Sequence, residues 1–173
     1  MLPAIRAACE ADIAAITVIY AAEVRDFVNT YEYDAPDEAE MRRRMQGIVE
    51  AGYPYLVAEV DGQIAGYAYA SSFRARIGYR FTVENSVYVA ADWQGRGIGS
   101  ALLGRLIADC ESRGFRQMVA VIGETANTGS IRLHERFGFR HIGAFPGIGL
   151  KHGRWLDTVF MQRALGPGAG APA

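Results

Sequence analysis

"VYVAADWQGRGIGSALL", residues Val87 to Leu103, runs from alternating β-branched and aromatic residues into three glycines within five positions, then into leucines. The pattern is a strand, a flexible turn and a helix. Glycine at Gly95, Gly97 and Gly99 costs folding entropy, so the junction calls for a ligand that needs backbone close by. A strand feeding a glycine-rich turn into a helix is a common way to bind pyrophosphate. The glycines let amides approach oxygens, and the unsatisfied amides of the first helical turn supply partial positive charge. Arg96 adds a full charge. The plainer alternative is a surface turn that is only glycine-rich. A dinucleotide-binding unit fits less well, because the glycines read G-x-G-x-G and not G-x-G-x-x-G. The junction also lies mid-chain, with too little sequence after it for a six-stranded doubly wound sheet. No lysine follows, which excludes a Walker loop.

Upstream, Ile5-Arg6-Ala7 is a short strand, and Ile13, Ile16, Thr17 and Tyr20 recur at helical spacing. "NTYEYDAPDE" is a polar, aromatic loop. Pro36 then suits a first helical turn, with Asp37 and Glu38 where the helix dipole favours acids, and that helix stops at Gly52. "YLVAEV-DG-QIAGYAYA" reads as a hairpin around Asp61-Gly62. After the basic stretch "SSFRARIGYR" comes the strand "FTVENSVYVA". Downstream of the junction lie a helix through "SALLGRLIADCESRG", the strand "FRQMVAVIG", a short helix ended by Gly138, and a long hairpin turning near His152-Gly153. Residues 166–173, "GPGAGAPA", are expected to be a disordered tail after a single domain at 1–165. The order is β-α-α-β-β-β-α-β-α-β-β, which makes one α+β sheet with helices on its faces.

A length of 173 residues, half of them hydrophobic and a fifth charged, fits one ordinary globular domain. A formal net charge of −1 gives no global basic field and argues against nucleic acid as the main partner. Cys9 and Cys110 are too few for a disulfide framework, so a reducing cytoplasm is expected. No leader and no membrane span are expected. His134, His141 and His152 make no metal-binding pattern, so no metal is expected.

The run "VYVAADWQGRGIGSALL" resembles the acetyl-CoA motif of the GNAT acyltransferases, Q/R-x-x-G-x-G/A, through Gln94, Gly97 and Gly99. "NTGSIRLHERFGF" is similar to their second motif. The closer resemblance is to the phosphinothricin acetyltransferase subfamily, whose members carry stretches similar to "TVENSVYV", "VAVIG", "RLHERFGF" and "KHGRWLD" in the same order. The match covers nearly the whole chain apart from the tail. It implies a GNAT-like fold, with a mixed, mostly antiparallel sheet of six or seven strands flanked by about four helices. It also implies acetyl-CoA as cosubstrate. Backbone of Val87, Tyr88 and Val89 would meet the pantetheine arm like an added strand. Gln94, Gly95, Arg96, Gly97, Ile98, Gly99 and Ser100 would cradle the pyrophosphate. Asn127 and Ser130 would contact the cofactor further along, a role compatible with plain helix capping. The resembling proteins are dimers, so a homodimer is expected.

Amide formation needs a neutral amine. An α-amine titrates near ~8 and a lysine amine near ~10.4, so deprotonation at neutral pH costs about 1.4 to 4.6 kcal/mol. A positioned carboxylate removes that proton, and Glu84 is the candidate base. On an alternating strand Glu84, Ser86 and Tyr88 face one way, while Val83, Asn85, Val87 and Val89 face the other. The matching glutamate is thought to be the base in the resembling subfamily. His134 is a second catalytic candidate, for proton removal or donation to the departing sulfur, with a structural role on its short helix as the alternative. Tyr88 is a weaker candidate for the acid, and aromatic packing is the favoured reading. Arg74, Arg76 and Arg80, with Tyr79, crowd the stretch before Glu84, and guanidinium forks bind carboxylate or phosphinate. Arg76 and Tyr79 match the subfamily pattern. The implied substrates are phosphinothricin, methionine sulfoximine or methionine sulfone, though "NTYEYD" departs from the familiar substrate-side loop. Protein or peptide amines, a catalytically silent acyl-CoA sensor and a dinucleotide-dependent oxidoreductase stay open as alternatives.

Overall fold

The computed structural model describes residues 2–172. Seven strands form one sheet in the order β1-β2-β3-β4-β5-β7-β6. They are β1 Ala4–Ala7, β2 Tyr55–Val60, β3 Gln63–Ser72, β4 Thr82–Val89, β5 Gln117–Gly123, β6 Arg140–Lys151 and β7 Arg154–Ala164. Every neighbouring pair is antiparallel except β4 and β5. The β2–β3 turn has Asp61 and Gly62 at positive φ, the conformation a two-residue hairpin requires.

Four helices cover the sheet: α1 Ile13–Asp26, α2 Glu38–Glu50, α3 Ile98–Ser112 and α4 Thr128–Arg136. Helix α2 begins two residues beyond Pro36, because the Asp37 side chain accepts from the Glu40 amide and fixes the cap there. One core packs the leucine face of α3 (Leu102, Leu103, Leu106) against Val83, Ala120 and Met161 of the sheet. The other core lies on the opposite face, with Ile13, Ile16 and Tyr20 of α1 and Met41 and Met45 of α2 over Tyr55, Val57 and Tyr67. The alternation expected for β4 holds: Val83, Val87 and Val89 join the first core, and Tyr88 joins the second.

The C-terminal stretch is more ordered than its composition implies. Gly168–Gly170 form a 3₁₀ turn with Gly168 buried. Arg116 donates to the carbonyl oxygens of Gly168 at 3.1 Å and Pro172 at 2.8 Å. A side chain from the body of the fold supplies the partners that the tail lacks in itself. Ala173 lies outside the described residues.

Candidate active site

The parallel pairing of β4 with β5 lasts only from Thr82 and Gln117 to Asn85 and Ala120. Beyond that point each strand keeps its other neighbour: Val89 still pairs with Gly66, and Gly123 with Thr158. Ser86–Val89 and Val121–Gly123 therefore leave a wedge between them, and the edge of β4 facing it has no strand partner beyond Asn85. A cavity of about 780 Å³ fills this wedge and continues along the start of α3.

The glycine junction forms one wall. Gly95 has φ +73° and Gly97, the residue capping α3, has φ +84°, in the left-handed region where a side chain is strained. The first helical bond is from the Ala101 amide to the Gly97 carbonyl, and no amide from Gly95 to Ser100 donates to a backbone carbonyl outside the helix. Those donors are the orphans of a helix start, and of these residues all but Arg96 line the cavity. Gln94 is spent locally, its Nε2 donating to the Val89 carbonyl at 3.2 Å. Arg96 stacks over Trp93, 5.2 Å from the ring centroid.

Opposite this wall stands α4. Asn127 caps it, its Oδ1 accepting from the Ser130 amide at 3.2 Å. His134 is 4% exposed and lines the cavity. Its Nδ1 lies 2.8 Å from the Ser130 carbonyl oxygen and its Nε2 3.0 Å from Asn85 Oδ1. Asn85 Nδ2 donates to the Val119 carbonyl, which leaves Oδ1 to face the ring. Both ring nitrogens thus meet acceptors, an arrangement suited to imidazolium, while burial pulls the pKa below the ordinary histidine value.

Glu84, on the α1 face of β4, is half-buried and carries no side-chain hydrogen bond. Desolvation raises its pKa above the usual carboxylate range. It is not among the residues lining the cavity, and neither are Arg74, Arg76, Tyr79 and Arg80. Those four sit on the exposed β3–β4 loop. Arg74 stacks on Phe73, Tyr79 meets Phe73 edge-on and Arg80 stacks on Phe81. Among the described residues none of the three arginines has a carboxylate partner. Tyr88 packs between Tyr20 and Tyr67, with centroids at 5.3 Å and 5.1 Å, and burial pushes its phenol well up.

The roof of the cavity comes from Phe27, Val28 and Asn29, the start of a strap, residues 27–33, after α1. Its seat is cut by two glycines. A Cβ at Gly123 would lie 2.7 Å from the Val28 carbonyl oxygen, and one at Gly149 would lie 2.3 Å from the Tyr31 ring. Tyr31 donates to the Asp157 carbonyl at 3.2 Å and lies 3.0 Å from Thr158 Oγ1. Lys151, buried, donates to the Thr30 carbonyl at 2.6 Å. Asn85, Asn29 and Glu23 line this cavity without having been singled out in the sequence. Two left a trace there: Asn85 is polar on the apolar face of its strand, and Glu23 falls on the buried face of α1 with Tyr20 and Val24. No group of three His, Cys, Asp or Glu suited to a metal occurs among the described residues.

The model of the family described as "Acetyltransferase (GNAT) family" matches residues 16–139. A phosphinothricin N-acetyltransferase of Alcaligenes faecalis is 48% identical over 164 residues, covering 95% of this chain and 83% of that one. An L-methionine sulfoximine/L-methionine sulfone acetyltransferase of Pseudomonas paraeruginosa is 40% identical over 173 residues, covering 99% of this chain and 100% of the relative. Among solved structures, a GNAT superfamily phosphinothricin acetyltransferase from Sinorhizobium meliloti in complex with AcCoA superposes with a TM-score of 0.96 at 49% identity. That superposition covers 99% of this chain and 93% of the other.

Proposed function

The chain belongs to the acetyltransferase (GNAT) family, and we propose that it moves an acetyl group from acetyl-CoA to the primary amine of a small amino-acid-like compound carrying a second polar or acidic head. Phosphinothricin, methionine sulfoximine and methionine sulfone are the substrates proposed. The observation that carries this reading is the wedge between β4 and β5. It puts Gly95, the free amides of Gly97–Ser100 and the strand edge of Val87–Val89 that β5 leaves unpaired on one cavity, and that cavity reaches the strap on the α1 side. The residues fit a coenzyme A thioester: the helix start takes diphosphate, the strand edge takes amide groups of the arm, and Asn127 and Ser130 stand beside it.

Glu84 is the proposed general base. It accepts the proton of the substrate ammonium, directly or through a water. The freed amine attacks the thioester carbonyl carbon, the C–S bond breaks, and the second amine proton goes to the departing thiolate, so the products are the amide and the thiol. A carboxyl with a raised pKa lies closer to the amine's own, which shortens the uphill proton transfer. His134 is proposed to relay that second proton: one ring nitrogen leaves its acceptor, takes the proton to form a transient imidazolium and passes it to the departing sulfur. Tyr88 forms cavity wall by packing. Arg74, Arg76, Arg80 and Tyr79 are proposed to take the acidic head; three guanidinium groups without carboxylate partners support this.

A homodimer is proposed, covering the edge strand β6, which exposes Ile142, Phe145, Ile148 and Leu150 beside Trp155 of β7. A reducing cytoplasm is the proposed compartment, in keeping with two free cysteines. No helix among the described residues is long and apolar enough to cross a membrane. The test is thiol release from acetyl-CoA in the presence of each sulfone, sulfoximine or phosphinothricin, beside a panel of other amino acids, polyamines and peptides. Release with the three named compounds is expected. Release only with peptides, or with no amine at all, refutes the proposal.

A further inference from the structure

Glu23 has no role in the reaction as described, yet it is a carboxylate 5% exposed on the wall of the reaction cavity. Helix periodicity puts it there. Tyr20 packs edge-on against Tyr88, and Glu23 lies one turn further along the same face, beside the wedge where β4 leaves β5. This is the face of Glu84 and Tyr88, from which an amine would approach, and not the face of α4 and His134.

Its hydrogen bonding has a fixed polarity. The Ser130 amide donates to Asn127 Oδ1, so Asn127 Nδ2 points outward and donates to Asn29 Oδ1 at 2.8 Å. Asn29 Nδ2 then donates to Glu23 Oε2 at 2.7 Å. The chain ends there, with one carboxylate oxygen fixed. The other, Oε1, has no protein partner among the described residues. Lys151 is the cation nearest in effect, but its Nζ is bonded to the Thr30 carbonyl and forms no salt bridge with Glu23. A buried carboxylate held by one amide and lacking an ion pair is costly unless something positive arrives.

We infer that Glu23 is a specificity-determining residue whose free Oε1 binds the ammonium group of the incoming amine. The inference rests on the amine-acetylating reading above and deepens it. The substrate is taken as an ammonium compound, with its nitrogen led into the wedge by Glu23 and its acidic head left for the arginine loop. Glu23 holds the nitrogen while Glu84 removes the proton, so no bond-making step is added. The same contact links the two halves of the site, because Glu23 reaches the cap of α4 through Asn29 and Asn127.

Glu23→Gln separates charge from architecture, since a glutamine Oε1 still accepts from Asn29. The probes are methionine sulfone and its desamino analogue, which keeps the carboxylate and the sulfone. Binding of each to the CoA-saturated protein is measured by calorimetry. Wild type should prefer the amine by about tenfold or more, the worth of one charge-assisted hydrogen bond, and E23Q should lose that preference. Turnover should show KM for the amine rising about tenfold or more with kcat little changed. Acetyl-CoA affinity should not move, and Tm should hold or rise, because the variant no longer buries an unpaired charge. The inference is overturned if wild type does not discriminate the two probes or binds neither, if E23Q keeps the preference, or if acetyl-CoA affinity falls in step. A charge preference that vanishes in E23Q, in a protein that transfers no acetyl group, would support the anchoring role and refute the reaction alone. The comparison of the two probes on wild type needs no variant, so it stands even where E23Q folds poorly.

Discussion

The strap over the cavity depends on a seat one hydrogen atom wide, and Gly149→Ala tests it. The new Cβ would lie 2.3 Å and 2.5 Å from two carbons of the Tyr31 ring. Carbon atoms settle at about 3.5–4.0 Å, so the ring must withdraw by roughly 1 Å or more. Tyr31 is not free to do so, because its hydroxyl lies 3.2 Å from the Asp157 carbonyl and 3.0 Å from Thr158 Oγ1. A shift of that size takes both contacts out of hydrogen-bond range. Overpacking costs about 1–3 kcal/mol, and each hydrogen bond lost adds about 0.5–1.5 kcal/mol. A total of about 2–6 kcal/mol follows if the strap stays docked, or a strap that lifts if it does not. Gly143→Ala is the control in the same strand, since its Cβ would meet nothing within 4 Å. Chemical denaturation should place G149A at least about 2 kcal/mol below G143A, or leave stability similar and raise KM for the amine severalfold as the strap opens. G149A matching G143A in both stability and KM would refute the docked strap.

Glu84→Gln should lower kcat/KM by about 10²–10⁴-fold, the usual worth of a positioned general base, with acetyl-CoA affinity retained. The same variant should be more stable than wild type at pH 8. The folded-state pKa of Glu84 is raised by burial, so its contribution is favourable below the ordinary carboxylate range and is lost as pH rises through the folded value. Melting curves should show the gap between the two proteins closing as pH falls toward the ordinary carboxylate range. Wild-type kcat/KM should fall on acidification through that same raised value. Arg76→Ala should raise KM for phosphinothricin by about tenfold to hundredfold, one charge-assisted contact, and barely change it for an amine without an acidic head. Equal losses for both substrates would remove the arginine loop from recognition.

Element order was legible because each segment advertised its own period. The Asp61-Gly62 hairpin, the leucine face of α3 and the alternation of β4 are local patterns, and local patterns survive without knowledge of partners. The glycine junction was equally plain, since Gly95 and Gly97 need positive φ and little else explains them. Asn127 and Ser130 stood out through a motif, and the structure adds that Asn127 Oδ1 caps α4. The strap was different. "NTYEYD" has no period, and the reason for Gly123 and Gly149 lies in Val28 and Tyr31, more than ninety residues away in the chain. Glu23 is only half legible for a related cause: a lone acid on an apolar helix face announces burial, but not what it is buried against.

The chain alone thus determined which segments become strands and helices, where backbone amides are left free, and which face of β4 carries Glu84. Folding decided what those pieces confront. The wedge exists because β4 and β5 part after Asn85 and Ala120, a property of two strands and the neighbours that keep hold of them. The polar chain from Ser130 to Glu23 joins residues from α4, the strap and α1, and only packing sets its direction. Propensity and capping act over a few positions and can be read in order. Desolvation and hydrogen-bond polarity arise between segments distant in sequence, and they come into being only when the sheet brings those segments together.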